Sequence, residues 1–364
     1  MKRYLPPLKS TTLTLAIFSL MAFHEGLCYT NVGVGFLLIA PDARDRGMGE
    51  GGSVFSDGAI SAHYNPANLV SSGVISADIS YMNFIPDLVD DISYKSIYLS
   101  GHAKGPYFWG AGFNYFDIGT VTRFDESRGY VTISEYQEAL SLYGAAKIRD
   151  ASLGVGIKYI RSHLGDAGAG FEWINKTASS FAVDLGYQIR NRFPQLTLVR
   201  DKTDSADMNN RPISDTTGGV SLGVSALNIG PDLEYNSYWS ERLPRRLLVA
   251  VGYQMIATQY YDLRLTLDAS KYLLDNNSGF SGEWDEIEWS YGLELKYYGF
   301  ITLRGGAHND RDGHQRYWTS GAGLGPNWLR ADFAYVSKSD ESWNVHGGEY
   351  TIALAFNMNS FSAR

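Results

Sequence analysis

The stretch Asp262-Leu-Arg-Leu-Thr-Leu-Asp-Ala-Ser270 decides the class of fold, because it separates two kinds of side chain with a period of two. Leu263, Leu265, Leu267 and Ala269 share one parity, and charged or polar residues fill every other position. Successive side chains of a β-strand point to opposite faces. The stretch therefore predicts a strand with one wholly apolar face and one polar face.

The same contrast recurs along most of the chain, in segments of about ten residues. The alternation is clear over residues 181–190, 246–255, 287–297, 329–335 and 349–357. Weaker candidates are residues 74–84, 92–103, 107–116, 136–148, 152–162, 217–229, 300–308 and 317–325. Repeated strands that are apolar on one face and polar on the other are typical of barrels that contact lipid outside and water inside. We predict an all-β fold over residues 73–364, a transmembrane antiparallel β-barrel of about 14 strands.

The connections between these segments alternate between long and short. The long links are residues 117–134, 164–175, 231–242, 274–284, 309–316 and 337–345, and the links between them are mostly tight turns. Bacterial barrels have short periplasmic turns and longer outer loops, so the long links are predicted to face outside. One periplasmic link, residues 191–215, is long and breaks the rule. It is either a functional periplasmic arm or it contains a missed strand pair near Leu196–Val199.

Composition excludes some classes of protein. The chain has 364 residues, a formal net charge of −8 and 44% hydrophobic residues, which is ordinary and unlike a helical membrane protein. The 25 Tyr and 39 Gly residues suit a sheet protein with aromatic girdles. An acidic chain without a basic stripe cannot neutralise phosphates, so nucleic acid is not an expected partner.

Residues 1–28 read as a secretory signal peptide. Lys2, Arg3 and Lys9 precede an apolar run over residues 11–23, and Gly26-Leu27-Cys28 ends the segment with small residues. The apolar run is shorter than the roughly 20 residues that a transmembrane helix needs. Cleavage after Cys28 would remove the only cysteine, so disulfides and thiol chemistry are not expected in the mature protein.

Residues 29–72 lack the alternation and are rich in glycine. Within them, Phe36-Leu-Leu-Ile-Ala-Pro-Asp-Ala-Arg44, Gly47-Met-Gly49 and Asn65-Pro-Ala67 resemble the N-terminal region of the PorV/PorQ proteins of the type IX secretion system, and PorV more closely. Those proteins are outer-membrane barrels similar to the FadL channels. The resemblance implies that residues 29–72 form a hatch at the periplasmic mouth of a FadL-like barrel. Its motif residues in this chain are Pro41, Asp42, Arg44, Gly47, Gly49, Asn65 and Pro66.

The resemblance also implies a function in the bacterial outer membrane. It implies a non-enzymatic component of type IX secretion that binds the C-terminal signal domain of secreted cargo. The cargo would pass from the translocon to the cell-surface attachment machinery, so the expected partners are cargo domains, proteins of those two complexes and outer-membrane lipid. The outer links are the surface that could grip a folded domain. Their aromatic residues are the predicted cargo-binding set: Phe124, Tyr130, Phe171, Trp173, Phe280 and Trp284.

An alternative function is a FadL-like channel for hydrophobic small molecules across the outer membrane. The predicted lumen argues against it, because charged residues face inward on most strands and are expected to pair with one another. This charged set is Lys158, Asp184, Arg190, Arg264, Asp268, Glu288, Glu294, Lys296, Arg304 and Asp332. The sequence has no Gly-x-Ser-x-Gly elbow, and its histidines are scattered, so no catalytic residue, metal site or cofactor is predicted.

Overall fold

The computed structural model describes residues 33–84, 86, 91–125, 129–164, 177–193, 196–200, 218–236, 238–273, 286–311, 315–337 and 348–358. The predicted signal peptide, residues 1–28, lies outside this part of the chain, and its assignment stays a prediction. None of the helices within the described ranges is long and apolar enough to cross a membrane.

The described chain begins with short helical turns and continues as strands. The turns are Gly35–Leu38, Ala43–Arg46, Ser53–Phe55, Ile60–His63 and Pro66–Ser71, of which only Ala43–Arg46 is α-helical. The strands are β1 (Ile75–Asn83), β2 (Ser93–His102), β3 (Tyr107–Asp125), β4 (Gly129–Ile148), β5 (Ala151–His163), β6 (Thr177–Arg192), β7 (Val199–Arg200), β8 (Gly219–Ile229), β9 (Leu233–Asn236), β10 (Trp239–Glu241), β11 (Arg246–Ala257), β12 (Tyr261–Tyr272), β13 (Glu288–Tyr297), β14 (Ile301–Asp310), β15 (Gln315–Leu324), β16 (Leu329–Val336) and β17 (Glu349–Met358).

Fourteen of these strands form a closed antiparallel barrel. Each pairs with its neighbours in the order β1 to β6, β8 and then β11 to β17, and β17 pairs with β1 from Met358↔Ile75 to Tyr350↔Asn83. Closure leaves the barrel without a free sheet edge along its wall. Each of the fourteen predicted segments overlaps one barrel strand, so the predicted fold class and strand number are confirmed.

The two faces of the wall have the predicted polarity. In β12, Leu265 is 39% exposed on the outer face, whereas Asp268 is 3% exposed on the inner face. The other strands repeat this arrangement, with exposed Leu, Ile, Val and aromatic side chains outside and buried Ser, Asp, Glu, Lys and Arg side chains inside. A surface that is apolar outside and polar inside suits lipid surroundings and a wet lumen.

One predicted outer loop is wrong, because residues 117–134 are mostly strand. β3 continues to Asp125 and β4 begins at Gly129, so the two form one long hairpin. Gly119 adopts a φ of 95° where the register shifts, and the ladder resumes beyond it. The β-branched runs 120–122 and 131–133 favour strand, a signal that the polarity of the segment concealed. The predicted loop 231–242 also contains the small hairpin of β9 and β10.

The long periplasmic link contains one short strand and no strand pair in its described part. Val199 and Arg200 form β7, which pairs in parallel with Ile256 and Ala257 at the end of β11. Residues 201–217 lie outside the described ranges. Within the described residues the alternative of a missed strand pair near Leu196–Val199 is not met, since β7 extends the sheet on its own. The alternative of a functional periplasmic arm stays a prediction.

Residues 33–72, which we call the plug, lie inside the barrel. At the end with the long links, the Gly33 amide donates to the Arg242 carbonyl at 3.0 Å. At the end with the short turns, the plug leads into β1, and the Val74 amide just before that strand donates to the Met358 carbonyl at 2.8 Å. The plug thus runs along the length of the lumen and is not confined to the periplasmic mouth, where the resemblance placed it. We refer to the two ends of the barrel as the long-loop end and the short-turn end.

Candidate functional site

The first motif of the plug is folded by Asp42. This residue caps the turn Ala43–Arg46, and its Oδ1 accepts a hydrogen bond from the Asp45 amide at 3.3 Å. The same oxygen accepts from the Tyr64 hydroxyl at 2.6 Å. The Pro41 carbonyl accepts a hydrogen bond from the Ser80 hydroxyl of β1. Pro41 and Asp42 therefore fix the turn both to the rest of the plug and to the wall.

Arg44 connects the plug to β13 of the barrel wall through an ion pair. Its side chain is 3% exposed. The Nε and Nη2 atoms each donate to the Glu294 carboxylate of β13 at 3.1 Å, and Nη1 donates to Asp45 at 2.7 Å. Two parallel bonds from a guanidinium to a carboxylate are among the stronger and more specific polar contacts in proteins. Arg44 is therefore the main ionic anchor of the first motif.

Glu294 is also the centre of an ion-pair network in the wall. The β12–β13–β14 registers align Arg264, Glu294 and Arg304. Arg304 donates to Glu294 at 2.8 Å and to Asp332 at 2.7 Å, and Arg330 donates to Asp332 at 2.6 Å. Arg264 lies 3.8 Å from Glu294. These contacts confirm that charges facing the lumen pair with one another.

Arg46 provides a second ionic contact that the sequence reasoning did not single out. It binds Glu50 within the plug and Glu349 at the start of β17. Burial raises the pKa of Glu50, but the Arg46 charge and several weaker contacts together outweigh burial and hold that pKa below its ordinary value. The alternation of β17 predicts that Glu349 faces the lumen, but it does not predict which plug residue Glu349 contacts.

The glycines of the second motif permit close approach to the wall. A Cβ atom on Gly49 would lie 2.5 Å from the Ala307 carbonyl oxygen, and Gly49 adopts a φ of 71°, which favours glycine. Its amide donates to the Thr319 hydroxyl at 2.7 Å. Gly47 lies against Gly321 of β15, where an added Cβ would be 3.0 Å from the Gly321 Cα. The Gly-Met-Gly run is thus seated backbone to backbone on β14 and β15.

The third motif is seated on the opposite side of the barrel. The Asn65 side chain accepts from the Ala67 amide at 3.0 Å and donates to the Tyr187 carbonyl of β6 at 3.1 Å. Pro66 and Ala67 cover Gly154 of β5, where an added Cβ would lie 2.3 Å from the Ala67 nitrogen. The structure therefore places six of the seven predicted hatch residues against the inner wall, and Asp42 binds within the plug. Their role in function stays a prediction.

A buried charge pair reinforces the wall beside the third motif. Lys158 Nζ lies 2.8 Å from Asp184 Oδ2 and donates to the Asn228 side chain at 2.7 Å. The Asn228 amide in turn donates to Asp184 at 2.8 Å. This group joins β5, β6 and β8, and its lysine and aspartate were both expected to pair within the lumen.

The predicted cargo-binding aromatic residues are only partly within the described structure. Tyr130 is 81% exposed near the tip of the β3–β4 hairpin, and its backbone pairs with that of Phe124. The other four, Phe171, Trp173, Phe280 and Trp284, lie outside the described residues, so their positions stay predictions.

The β3–β4 hairpin extends beyond the described strands on either side of it at the long-loop end. β2 pairs with β3 only as far as Ser93↔Asp117, and β5 pairs with β4 only as far as His163↔Tyr136. Beyond those pairs, Gly119–Asp125 of β3 pairs with β4 alone among the described strands. At about 3.3 Å per residue, this projection is roughly 20 Å long.

The histidines do not form a metal centre within the described ranges, which contain no group of three His, Cys, Asp or Glu side chains suited to holding an ion. His63 is buried in the plug, with its Nδ1 3.1 Å from the Tyr98 hydroxyl. Burial, and then the charges of Lys158 and Arg246, hold the pKa of His63 well below its ordinary value. A neutral, hydrogen-bonded imidazole of this kind has a structural role.

The fold is similar to those of solved FadL-like transport proteins. The Ralstonia pickettii toluene transporter TbuX aligns with a TM-score of 0.53 and 13% identity, covering 87% of this chain and 98% of that one. The deltaS2 mutant of the TodX monoaromatic hydrocarbon channel aligns with a TM-score of 0.52 and 11% identity, covering 88% of this chain and 98% of that one. At these identities the likeness shows the fold alone. No curated protein sequence matches the chain.

The family comparison goes further, because it covers the plug motifs and much of the barrel together. The matching model is described as type IX secretion system protein PorV, and it matches residues 27–278, more than half of the chain. Together with the FadL-like barrel, this match shows that the chain belongs to the PorV family of outer-membrane proteins of the type IX secretion system.

Proposed function

We propose that this protein binds the folded C-terminal signal domain of secreted cargo and passes it from the translocon to the cell-surface attachment machinery. The observation that carries the proposal is the β3–β4 hairpin, which extends beyond the described flanking strands at the long-loop end, with Tyr130 exposed near its tip. The type IX family assignment supplies the context of cargo and machinery. Within that family the protein is a secretion component, and the absence of enzymatic activity stays a prediction.

The projecting hairpin has a surface suited to a β-sandwich partner. Its strands continue past Asp117 and Tyr136, where the flanking strands stop pairing with them. On the β3 side, the Thr120 amide already donates to the Asp91 carboxylate at 3.2 Å. The β4 edge, residues 130–135, is therefore the edge that we expect to receive a cargo strand. Added strands gain affinity from main-chain hydrogen bonds and specificity from side-chain contacts.

Aromatic residues would complete the cargo surface. Phe124 and Tyr130 occupy paired positions near the hairpin tip. Phe171, Trp173, Phe280 and Trp284 belong to the neighbouring outer links, which we propose surround the same partner. Exposed aromatic side chains contribute a large share of binding energy at protein interfaces. This assignment of the six residues is a proposal.

The filled lumen favours docking over conduction. Arg44, Arg46 and Asn65 attach the plug to opposite walls, so a solute would have to displace buried ion pairs in order to pass. Breaking one buried ion pair costs about 3–5 kcal/mol. A sealed barrel with a projecting hairpin suits a protein that carries its cargo outside the membrane.

A second candidate function, a FadL-like channel for hydrophobic small molecules, has one observation in its favour. A cavity of about 450 Å³ at the long-loop end is lined in part by Phe36, Phe84 and Phe116. It also contains charged side chains, among them Glu50 and Arg246. Uptake of a radiolabelled monoaromatic compound by proteoliposomes tests this function. Uptake no faster than through protein-free vesicles would dismiss it.

Retention of cargo by hairpin variants tests the main proposal. Purified protein in detergent would be mixed with a cargo C-terminal domain, and the retained domain would be measured. We expect Phe124→Ala with Tyr130→Ala to lower affinity by roughly 30-fold, since two hot-spot side chains together contribute at least about 2 kcal/mol. Tyr107→Ala, which removes an exposed aromatic residue at the short-turn end, is the matched control and should bind normally. Equal retention by all three proteins would refute the proposal.

A further inference from the structure

The short-turn end of the barrel contains a large cavity of unusual charge. Its volume is about 910 Å³, near the upper end of the range for pockets that hold ligands. Seven Lys or Arg side chains line it, against three Asp side chains. The whole chain has a formal net charge of −8, so the cavity is opposite in sign to the protein around it. We call this cavity the basic vestibule.

Four of the cations lie deep in the basic vestibule and face inward from separate strands. They are Arg190 on β6, Arg264 on β12, Lys296 on β13 and Arg330 on β16. Arg264 also pairs with Asp262 at 2.6 Å and Arg330 with Asp332 at 2.6 Å, so these two charges are partly neutralised. Arg190 donates to the Ser56 carbonyl of the plug at 2.7 Å, and Arg264 lies over the Phe55 ring at 5.2 Å. The inner cations thus surround the plug where it reaches the short-turn end.

The plug places a single half-buried carboxylate among these cations. Asp57 Oδ1 lies 3.6 Å from Arg330 Nη2. Burial raises the pKa of Asp57, but the charges of Arg330, Arg44 and Lys296 outweigh burial and hold that pKa well below its ordinary value. A carboxylate attached to a peptide chain is therefore already stabilised at this point. Asp57 thus shows that the inner cations can bind a carboxylate.

Two further cations, Lys147 and Arg149, lie at the mouth of the basic vestibule. Both side chains are exposed, at the turn that joins β4 to β5. Arg192, also at the mouth, lies 3.2 Å from Asp150 and is partly neutralised. A cleft lined by charges of one sign concentrates its field and attracts opposite charges toward its interior.

We infer that the basic vestibule binds an acidic, partly apolar segment of a periplasmic protein. Carboxylates of that segment would meet Lys147 and Arg149 at the mouth and the inner cations beyond them. Guanidinium groups bind carboxylates in a planar, two-bond geometry. The apolar side chains of Val70, Phe108 and Phe356 also line the cavity, which favours a peptide over an inorganic polyanion. The short-turn end faces the periplasm in barrels of this kind, so the partner is periplasmic.

This site is separate from the proposed cargo surface, because the two lie at opposite ends of the barrel. Neutralising the mouth of the vestibule should therefore leave cargo retention at the hairpin unchanged. Failure of one proposal can thus be distinguished from failure of the other.

Binding of a defined probe to the full-length protein in detergent tests the inference. The probe is a short fluorescein-labelled peptide of alternating aspartate and leucine, and its affinity is read from fluorescence anisotropy. We expect the Lys147→Gln and Arg149→Asn double variant to bind it roughly fivefold more weakly, because removing charges at a binding mouth weakens electrostatic association. Asparagine is chosen at position 149 because Arg149 has a φ of 56°, which asparagine tolerates.

Two controls make the test specific. Lys104→Gln removes an exposed lysine that does not line the cavity, from the neighbouring turn of the same end, and should leave the affinity unchanged. Asp57→Asn removes the plug carboxylate that occupies the inner cations, so it should raise the affinity for the peptide. Equal affinity for a peptide with asparagine in place of aspartate would overturn the inference. Complete displacement of the peptide by tripolyphosphate, added at the same total concentration of negative charge, would also overturn the inference. That result would indicate a site for polyanions in general.

Discussion

Replacing Arg44 by alanine should loosen the plug while leaving the barrel closed. Arg44 makes three charge-assisted hydrogen bonds, two to Glu294 at 3.1 Å and one to Asp45 at 2.7 Å. Removing one partner of a buried ion pair costs about 3–5 kcal/mol. Glu294 keeps Arg304 at 2.8 Å, so its charge stays compensated and the lower end of that range applies. A loss of about 3 kcal/mol raises the open population of the plug roughly 100-fold.

Hydrogen exchange measured by mass spectrometry reports this change directly. Amides that are protected by local structure exchange in proportion to the population of the opened state. We expect peptides from residues 42–50 to exchange roughly 100-fold faster in Arg44→Ala than in the unmodified protein, while peptides from the barrel strands keep their protection. The control is Arg161→Ala, which breaks a more exposed pair with Glu138 at 3.5 Å and should change exchange little.

Two outcomes would show that Arg44 does not seat the plug separately from the wall. If plug peptides of Arg44→Ala exchange at the unmodified rate, then the bidentate pair does not hold the plug. If plug and barrel peptides lose protection together, the plug and wall unfold as one unit, and the idea of a separately seated plug is wrong. A double-mutant cycle with Glu294→Ala would then measure the coupling energy between the two side chains.

Three further predictions concern the plug and wall. Gly49→Ala should raise the hydrogen-exchange rate of plug amides at least about tenfold, because Gly49 has a φ of 71° and an added Cβ would lie 2.5 Å from a carbonyl oxygen. Gly35→Ala is the control, because an added Cβ there meets nothing within 4 Å, and it should leave the exchange rate unchanged. Lys158→Met should destabilise the barrel by about 3–5 kcal/mol in urea unfolding from detergent, and adding Asp184→Leu should recover most of that loss. The folded-state pKa of Asp57 is depressed, so its stabilisation of the plug is complete above about pH 5 and declines as pH falls further. The protection of plug amides in Asp57→Asn should therefore change less between about pH 5 and lower pH than it does in the unmodified protein.

The strands could be predicted from sequence because each barrel strand faces two different solvents. Lipid outside and a polar lumen inside leave a period of two, which is clear in strands such as β12, as Leu265 and Asp268 illustrate. The length of the β3–β4 hairpin was missed because a strand that projects beyond the membrane has no lipid face. Its alternation is therefore lost, and only the β-branched residues near Thr120 and Val131 indicate its conformation.

The seating of the plug could be predicted only in part. Glycines and a capping aspartate mark a compact segment, but partners such as Arg44 and Glu294 are 250 residues apart in sequence. Which wall residue meets which plug residue depends on strand register and on the path of the plug through the lumen. Neither is specified by local pattern. The basic vestibule was missed for the same reason, because its cations come from separate strands, including β6, β12, β13 and β16.

Site-specific crosslinking in living cells tests directly whether the β3–β4 hairpin contacts secreted cargo. A photoreactive phenylalanine analogue would replace Tyr130 near the hairpin tip or, in a separate strain, Tyr107 at the short-turn end. We predict that illumination joins the position-130 protein to the C-terminal domain of secreted cargo and leaves the position-107 protein without cargo. A cargo adduct at position 107 as strong as that at position 130, or none at position 130, would contradict the account.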